Sequence, residues 1–420
     1  MLEEIDLLFA KNLSDKEETI QFLAKLFCFS REGHICMKEE NGPELPSCIH
    51  QYNNLYYLEK NWAYETRFIE HFCRIKNTQV NKLEAVLDDG LALEQKEAVR
   101  KALTLPISII TGGPGTGKTY TASQIIKAFP GKIMLAAPTG KAAARLNGKT
   151  LHALLELPDK KQTVLFAELI IVDECSMIDA RLFAHFLTSV KNGTRVVLMG
   201  DPNQLPSIEG GAFFADLIAA CPDICTHLKQ NFRSQDAIKQ LAYIILEKSP
   251  EEALYELLKI NTNIDLMDYV QQGYTILSSM RQGPLGADQL NQKIAATLSS
   301  DTIPIMITKN NRELNLYNGQ TATLIKDTVH FSDGRTLPAH EVPHFDYAYC
   351  ISVHKSQGSE YDKVLLLLPE GSENFGKELL YTAITRAKTY LQIQSTPDLL
   401  LEILKKTTQR ISGVSARLNL

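Results

Sequence analysis

The sequence lacks several features that would assign it to a special class of protein. Its 420 residues include one tryptophan, and no apolar run approaches the roughly 18 residues of a membrane-spanning helix. The amino-terminal stretch carries Glu3, Glu4 and Asp6 and has no apolar signal core, so the sequence predicts a cytoplasmic protein without a membrane partner. A composition of 44% hydrophobic and 22% charged residues indicates an ordinary globular chain.

An excess of positive charge and a zinc-type cysteine pattern are also missing. The formal net charge of −5 excludes a uniformly basic surface for nucleic acid, although a local basic channel is compatible with it. The eight cysteines are scattered, and neither the histidine–cysteine cluster at 34–50 nor the pair Cys221 and Cys225 has a standard zinc spacing. We therefore predict inert or buried thiols without a disulfide framework.

Two segments can be separated in the amino-terminal half. Residues 1–90 are rich in aromatic side chains and, with a glycine–proline break at 41–46, are interpreted as a domain of short helices. Residues 91–235 alternate short β-branched runs with helical stretches, which predicts a parallel sheet covered on both faces. The predicted strands are 107–111, 132–137, 169–172 and 195–199.

The third segment, residues 236–420, repeats this α/β pattern with an interruption. The pairs Asn318-Gly319 and Asp333-Gly334 are turn signals between short alternating strands, so a small β-barrel or hairpin insert is predicted around 304–348. The predicted strands are 275–279, 303–308, 347–353, 363–368 and 390–394.

A glycine-rich loop between a predicted strand and a predicted helix carries the strongest chemical signal. Residues 112–119 read Gly-Gly-Pro-Gly-Thr-Gly-Lys-Thr, a complete phosphate-binding loop in the context that it requires. Its backbone N–H groups can turn toward phosphate oxygens, Lys118 can reach the β- and γ-phosphates, and Thr119 offers a hydroxyl to Mg²⁺. The residues predicted to bind nucleotide here are Gly112, Gly113, Pro114, Gly115, Thr116, Gly117, Lys118 and Thr119.

Polar side chains that follow two further strands complete a hydrolytic site. Asp173 suits a hard Mg²⁺ ion, and Glu174 suits the base that orients an attacking water. Gln204 follows the next strand and can hydrogen-bond the γ-phosphate or its water. As alternatives, Asp173 and Glu174 could simply cap the next helix, and Gln204 could be an ordinary loop residue.

Two arginines and several polar strand ends are weaker candidates. Arg386 and Arg233 can stabilise transition-state charge, which would make hydrolysis depend on domain closure. Each arginine could equally form a surface salt bridge. The stretches 137–141, 150–152 and 354–360 suit phosphates of either a nucleotide or DNA, with a solvated loop as the alternative.

In their order along the chain, these motifs resemble those of superfamily 1 helicases. Residues 172–179, 279–286 and 353–360 are similar to motifs of the RecD family, and residues 30–36 and 56–62 look like its amino-terminal docking domain. The resemblance implies an α/β protein with two RecA-like P-loop domains, a small β-barrel insert and an amino-terminal helical domain. It assigns Gln95, Gly358 and Glu360 to the nucleotide, and Pro138, Thr139, Lys141, His152, His354 and Lys355 to the DNA strand.

The resemblance also implies a function. It is that of an ATP- and Mg²⁺-dependent 5′→3′ DNA helicase subunit of a RecBCD-type helicase–nuclease (exodeoxyribonuclease V), in double-strand-break repair and recombination. The partners would be DNA ends and RecB-like and RecC-like subunits in a heterotrimer, with the nuclease in a partner.

The sequence departs from the family pattern at two points. Cys175 stands where alanine is usual, a small-for-small change that we expect to be harmless, and the stretch 152–170 is short for a segment that can hold a strand-splitting pin, which leaves autonomous strand separation open. A stand-alone 5′→3′ helicase and an ATP-binding assembly subunit with little motor activity are the alternatives to a complex subunit. The docking resemblance within 1–90 argues against the former, and the intact Lys118, Glu174 and Arg386 argue against the latter.

Overall fold

The structure, a computed structural model, describes residues 2–85, 88–157, 163–229, 236–263, 265–298, 301–311 and 313–418. Within these residues the chain forms two parallel sheets of six and four strands and two antiparallel sheets of five and three strands. No described helix combines the length and the apolar character needed to span a membrane.

The amino-terminal part combines helices with a small antiparallel sheet that the sequence analysis missed. Its strands pair in the order β1-β3-β2, and Asn53 turns β2 into β3 with a φ of 54°. Asparagine tolerates this left-handed conformation, so the Asn53-Asn54 pair is the signal that could have indicated a hairpin. The elements are α1 (Glu4–Lys11), α2 (Glu17–Arg31), β1 (Met37–Lys38), β2 (Ile49–Tyr52), β3 (Leu55–Leu58) and α3 (Glu59–Lys76).

The next part is built on a six-stranded parallel sheet of order β6-β5-β7-β8-β4-β9, which confirms the predicted α/β architecture. Its elements are α4 (Leu93–Thr104), β4 (Ile107–Thr111), α5 (Lys118–Ala128), β5 (Ile133–Ala137), α6 (Gly140–Arg145), β6 (Lys149–Thr150), α7 (Leu151–Leu154), β7 (Leu169–Val172), α8 (Ala180–Ser189), β8 (Arg195–Gly200), α9 (Phe213–Ala220) and β9 (Cys225–His227).

Alternate residues of these strands enter two different cores. Ile170 and Val172 of β7 belong to one apolar cluster, and Leu169 and Ile171 belong to another on the opposite face. Side chains of a strand alternate between faces, so a strand with no polar position must be covered on both sides. This explains why the central strands are continuously apolar.

The third part has a four-stranded parallel sheet of order β16-β10-β17-β18. The predicted strand 347–353 was wrong as a single element, because its start belongs to the insert and its end to the parallel sheet. The elements are α10 (Asp236–Glu247), α11 (Pro250–Leu258), α12 (Leu266–Gln271), β10 (Thr275–Ser278), α13 (Ala287–Thr297), β11 (Thr302–Ile307), β12 (Thr321–Ile325), β13 (Thr328–Phe331), β14 (Thr336–Pro338), β15 (Phe345–Tyr347), β16 (Cys350–Ser352), α14 (Val353–Ser356), β17 (Tyr361–Leu367), α15 (Gly376–Ile384), β18 (Ala387–Gln394), α16 (Pro397–Lys405) and α17 (Val414–Leu418).

The insert is an open antiparallel sheet of order β14-β13-β12-β11-β15. The turn at Asp333-Gly334 joins β13 to β14 as predicted, with Gly334 at a φ of 87°. A closed barrel is not observed, because β14 and β15 stay unpaired with each other in the part of the insert that the structure describes. Both edge strands have only three residues, which is little for the tilt and stagger of a closed sheet.

The two ends of the chain meet on the first parallel-sheet domain. Phe68 of α3 lies with its ring centroid 5.2 Å from that of Phe183 in α8, so α3 shares a core with the six-stranded sheet. The buried Glu65 accepts hydrogen bonds from Tyr57 Oη (3.0 Å), Gly413 N (2.8 Å) and Arg417 Nη1 (3.0 Å). Burial raises the pKa of Glu65, against these three donors. The segment boundaries at 90 and 235 remain predictions.

Replacing Arg417 with alanine tests this link between the chain ends. The change leaves a buried carboxylate without its cation, so we expect a loss of roughly 3–5 kcal/mol in unfolding free energy. Urea unfolding can be followed by the fluorescence of Trp62, the single tryptophan. Its ring centroid lies 4.0 Å from the Arg417 guanidinium, so the indole is part of the contact region that unfolding separates. Arg281→Ala, which removes an exposed ion pair to Asp288, should cost under about 1 kcal/mol. Equal effects of the two variants would contradict the proposed role of Glu65.

Candidate active site

The glycine-rich loop at 112–119 runs from the carboxyl end of β4 into the amino end of α5. Gly115 and Gly117 adopt φ values of 78° and 85°, a left-handed conformation that favours glycine. A Cβ on Gly112 would lie 2.8 Å from the carbonyl oxygen of Leu228. Lys118 Nζ donates to the carbonyl oxygens of Gly112 (2.6 Å) and Gly113 (3.1 Å), which holds the ammonium over the loop. The loop therefore combines a backbone that favours glycine with a cation held close to it.

The two acids stand at the carboxyl end of β7, next to this loop. The side chain of Asp173 is fully buried, and Glu174 adopts a left-handed φ of 55°. Arg145 Nη2 lies 2.9 Å from Asp173 Oδ2 and 3.1 Å from Glu174 Oε1. Burial and the neighbouring Glu174 raise the pKa of Asp173, while Arg145 and Lys118 oppose the shift. Asp173 thus depends on nearby cations for its charge.

A third buried acid joins the two parallel-sheet domains. Asp201 Oδ2 accepts hydrogen bonds from Gln204 Nε2 (3.1 Å) and from Tyr381 Oη (2.9 Å) of α15. Burial raises the pKa of Asp201, and burial together with Asp201 raises the pKa of Tyr381. The backbone of Leu205 adds two further links to the second domain, through Thr382 and Gln357.

Arg386 reaches the site from the second domain, between α15 and β18. Its guanidinium is buried and donates to the carbonyl oxygens of Thr382 (2.9 Å) and Ser359 (3.1 Å). These bonds fix its position without neutralising its charge. Within the described part of the chain, Arg386 is thus held at the domain boundary by backbone carbonyls, and no carboxylate there forms an ion pair with it.

A cavity of about 400 Å³ is lined by groups of both domains, although Asp173, Asp201 and Tyr381 are not among its lining residues. Glu174 Oε2 and Gln204 Oε1 are buried and lack a hydrogen-bond partner within the described part of the chain. Unpaired buried oxygens next to a phosphate loop suit a water held at a γ-phosphate, and Thr119 and Asp173 supply the oxygen ligands that Mg²⁺ prefers. The cavity is lined by Gly90, Gln95, Pro114, Gly115, Gly117, Lys118, Thr119, Tyr120, Arg145, Glu174, Gln204, Glu360 and Arg386.

Comparison with known proteins identifies the family. An AAA domain model matches residues 90–265, and a UvrD-like helicase C-terminal domain model matches residues 347–393. The RecBCD enzyme subunit RecD of Mycolicibacterium smegmatis is 29% identical over 89% of this chain and 84% of that protein. The ATP-dependent RecD2 DNA helicase of Deinococcus radiodurans is 31% identical over 71% of this chain and 48% of its own length. The chain belongs to the RecD family of superfamily 1 helicases.

Solved structures share the fold of this RecD-family chain. Bacteroides Pif1 bound to single-stranded DNA superposes with a TM-score of 0.56, at 18% identity, over 74% of this chain and 94% of that one. Pif1 helicase from Candida albicans gives a TM-score of 0.55, at 19% identity, over 75% and 96%. At such low sequence identities, these structures support the similarity of the fold and nothing further.

The RecD-family chain brings most of the nucleotide residues predicted from sequence to one cavity. Gln95 is buried there, and its Oε1 accepts a hydrogen bond from Ala92 N at 3.1 Å. Gly358 instead lines a neighbouring cavity of about 860 Å³, with a φ of 71°. Arg233 lies outside the described residues. The individual roles of these residues remain predictions.

The six residues predicted to contact DNA are spread over three places. Thr139 Oγ1 accepts from Ala142 N and caps α6 beside Pro138, and His152 is exposed on α7. His354 and Lys355 lie on the short helix α14 rather than in a loop. The last of the six, Lys141, points into the neighbouring cavity between the domains.

The surroundings of Lys141 differ from those of a solvent-facing strand contact. Its Nζ donates to Ser359 Oγ at 2.5 Å and lies 5.9 Å from the ring centroid of Tyr361, both in the second domain. Burial, then Arg145 and Arg386, lower the pKa of Lys141 to about 8. A role in DNA contact remains a prediction, and the observed contacts join the two domains.

Sequence reasoning assigned no role to three residues of the site. Asp201 follows β8 just as Asp173 follows β7, so the strand-end pattern could have found it. Tyr381 and Arg145 carry no such signal, because each meets its carboxylate partner only through the tertiary fold.

The lowered pKa of Lys141 predicts a pH-dependent stability. Between about pH 8 and pH 10.5, the Lys141 amine is protonated to a greater extent in the unfolded chain than in the folded one, because its pKa falls from 10.5 to about 8 on folding. The free energy of unfolding therefore rises with pH across that window. Lys141→Met should therefore be stabilising relative to wild type at pH 7.5, and the difference should shrink by pH 10. Thermal or urea unfolding at both values measures it.

Lys141→Arg is the matched control, because arginine stays charged across the window. Its difference from Lys141→Met should stay constant between the two pH values. A wild-type advantage over Lys141→Met that grew on lowering the pH would contradict the assigned shift.

Proposed function

We propose that this RecD-family helicase hydrolyses ATP in the cavity between its two parallel-sheet domains and uses the reaction to move 5′→3′ along single-stranded DNA. The observation that carries the proposal is the joint lining of one cavity by the phosphate loop, Glu174 and Gln204 of the first domain and Arg386 of the second. Such an arrangement makes hydrolysis depend on the position of one domain relative to the other.

In the proposed reaction each residue has a separate task. Lys118 and the amino end of α5 bind the β- and γ-phosphates, and Arg386 stabilises the charge that develops on the transferred phosphoryl group. The carboxylate of Glu174 accepts a hydrogen bond from the attacking water, and Gln204 orients that water. Thr119 and Asp173 would hold Mg²⁺, which neutralises phosphate charge when bound.

Contacts across the domain boundary supply the coupling. Gln204 and Tyr381 share one oxygen of Asp201, so a shift of Gln204 toward a γ-phosphate changes a bond to the second domain. Leu205, next in sequence, is bonded through its N–H to Thr382 at 2.8 Å. The loop at 201–205, which would contact the nucleotide, thus also forms the hydrogen bonds to Tyr381 and Thr382 of α15.

We propose that the DNA strand runs over surfaces of both domains. Pro138, Thr139 and His152 would contact it on the first domain, and His354 and Lys355 on the second. Phosphate contacts of this kind are independent of sequence and weaken with salt. The contacts of Lys141 favour a role between the domains over one on DNA.

We further propose that the chain works with RecB-like and RecC-like subunits in a heterotrimeric exodeoxyribonuclease V. It would act in the cytoplasm on DNA ends, in double-strand-break repair and recombination, with the nuclease in a partner. Relatives from Mycolicibacterium smegmatis and Haemophilus influenzae are RecBCD enzyme subunits; the latter is 25% identical over 91% of this chain and 83% of that protein. An exposed apolar strip on α1 supports partner docking, since Ile5, Leu8 and Phe9 are 46%, 61% and 50% exposed.

An ATPase assay with a matched loop variant tests the proposal. The wild-type chain should hydrolyse ATP faster with single-stranded DNA present, and Lys118→Ala should lose hydrolysis while it keeps the wild-type circular dichroism spectrum and melting temperature. The loss follows from removing the cation over the β- and γ-phosphates. Wild-type turnover by the purified variant would refute the assigned cavity.

The same assay separates the subunit from a stand-alone helicase. Co-expression with RecB-like and RecC-like chains should give a stable complex, and a strand-displacement assay should show unwinding that falls in the complex carrying Lys118→Ala. Full unwinding by the isolated chain, with no complex formed, would favour the stand-alone alternative.

A further inference from the structure

One guanidinium nitrogen bridges the two acids of the active site. Arg145, the last residue of α6, places Nη2 at 2.9 Å from Asp173 Oδ2 and 3.1 Å from Glu174 Oε1. The side chains of the two acids are 0% and 6% exposed, whereas that of Arg145 is 33% exposed. The carboxylates are fixed in the core, and the arginine enters from the cavity side.

The oxygens of the acid pair are almost all engaged. Asp173 Oδ1 accepts from the backbone N–H of Glu174 at 2.9 Å, and Oδ2 accepts from Arg145. Mg²⁺ needs near-octahedral oxygen ligands at about 2.0–2.1 Å, directly or through its waters. A divalent cation and a guanidinium at the same carboxylate oxygen disfavour each other, because two cations held within a few ångströms repel strongly in a buried site.

We infer that Arg145 is an exchangeable counter-ion of the Asp173–Glu174 pair, which competes with Mg²⁺ for these carboxylates and gives them up when the metal binds. Arg145 is thus a positioning residue that sets how much Mg²⁺ the site requires. The inference rests on the proposed function, since it takes Asp173 as the metal-binding acid.

The two cavities next to Arg145 offer space for its side chain after it leaves the carboxylates. It lines both the nucleotide cavity and the neighbouring cavity that holds Lys141 and Thr385. Two buried acids without any cation would be strongly destabilising, so the exchange lets one positive charge replace another. The exposure of Arg145 to both cavities is what an exchangeable ion pair needs, whereas a purely structural ion pair does not need it.

The sign of one measurement separates competition from a purely structural role. Binding of N-methylanthraniloyl-ADP to the full-length chain can be followed by fluorescence while Mg²⁺ is titrated in from a chelated start. Removing a competing cation should lower the half-saturating Mg²⁺ concentration of Arg145→Gln by about fivefold or more, within the usual range of coupled binding. Loss of a structural residue would raise it or leave it unchanged.

Two further variants make the test decisive. Arg145→Lys keeps one charge but cannot bridge two carboxylates as a planar guanidinium does, so its half-saturating Mg²⁺ concentration should fall by less. Arg335→Gln, at the exposed pair with Asp333 on the insert, should match wild type and controls for charge loss. Direct Mn²⁺ binding by electron paramagnetic resonance, with the same ranking, gives a second readout that does not depend on turnover.

The outcomes are distinguishable from failure of the proposed function. An unchanged or raised Mg²⁺ requirement in Arg145→Gln, with wild type binding nucleotide, would overturn the inference alone. If Arg145→Gln does not fold, Arg145→Lys decides, since an unchanged requirement there overturns the inference and a lowered one supports it. Failure of the wild-type chain to bind the fluorescent nucleotide at any Mg²⁺ concentration would overturn the proposed function, and the inference with it.

Discussion

A pair of carboxylates buried at the end of β7 is the constraint around which the active site is arranged. Asp173 and Glu174 follow a strand that is covered on both faces, so their carboxylates have little contact with bulk solvent. Isolated charges in such a place are strongly unfavourable, and cations must stand beside them. Lys118 and Arg145 fill that need from the protein, and the same geometry suits a divalent cation that arrives with a nucleotide.

The second constraint is that the site is shared between two sheets. Parallel strands deliver their polar ends to one edge, which brings the loop after β4 beside Asp173, Asp201 and Gln204. The second domain contributes the Tyr381 hydroxyl and the Arg386 guanidinium, which lie at the two ends of the stretch 381–386. Gln204, for which we propose a role on the nucleotide, therefore shares Asp201 with the contact between the domains, which is an arrangement that a motor requires.

The parts that could be predicted from sequence are those that depend on local pattern. The phosphate loop and the strands β4, β7 and β8 were predictable, because a glycine-rich turn after a continuously apolar run has few other uses. Arg386 could be singled out from sequence as a candidate for transition-state charge, whereas its burial and its bonds to Thr382 and Ser359 could not be predicted.

The parts that could not be predicted depend on tertiary contacts or on subtle turns. Arg145 lies 28 residues from Asp173 along the chain, and only the fold brings its guanidinium to the acids. The Asn53-Asn54 pair is the main sequence signal for the amino-terminal hairpin, and an aromatic-rich stretch satisfies helical and strand patterns equally well. Whether the insert closes into a barrel depends on the lengths of its edge strands, which turn signals do not specify.

The claim at the centre of this account is that hydrolysis requires a charge from the second domain in a cavity built by the first. Single-turnover hydrolysis by Arg386→Ala, measured together with equilibrium nucleotide affinity, tests it most directly. The account predicts a fall in the hydrolysis rate of about a thousandfold or more, with nucleotide affinity within a few-fold of wild type, because the arginine acts on transition-state charge. An unchanged hydrolysis rate, or a loss of nucleotide affinity that accounts for the whole effect, would contradict it.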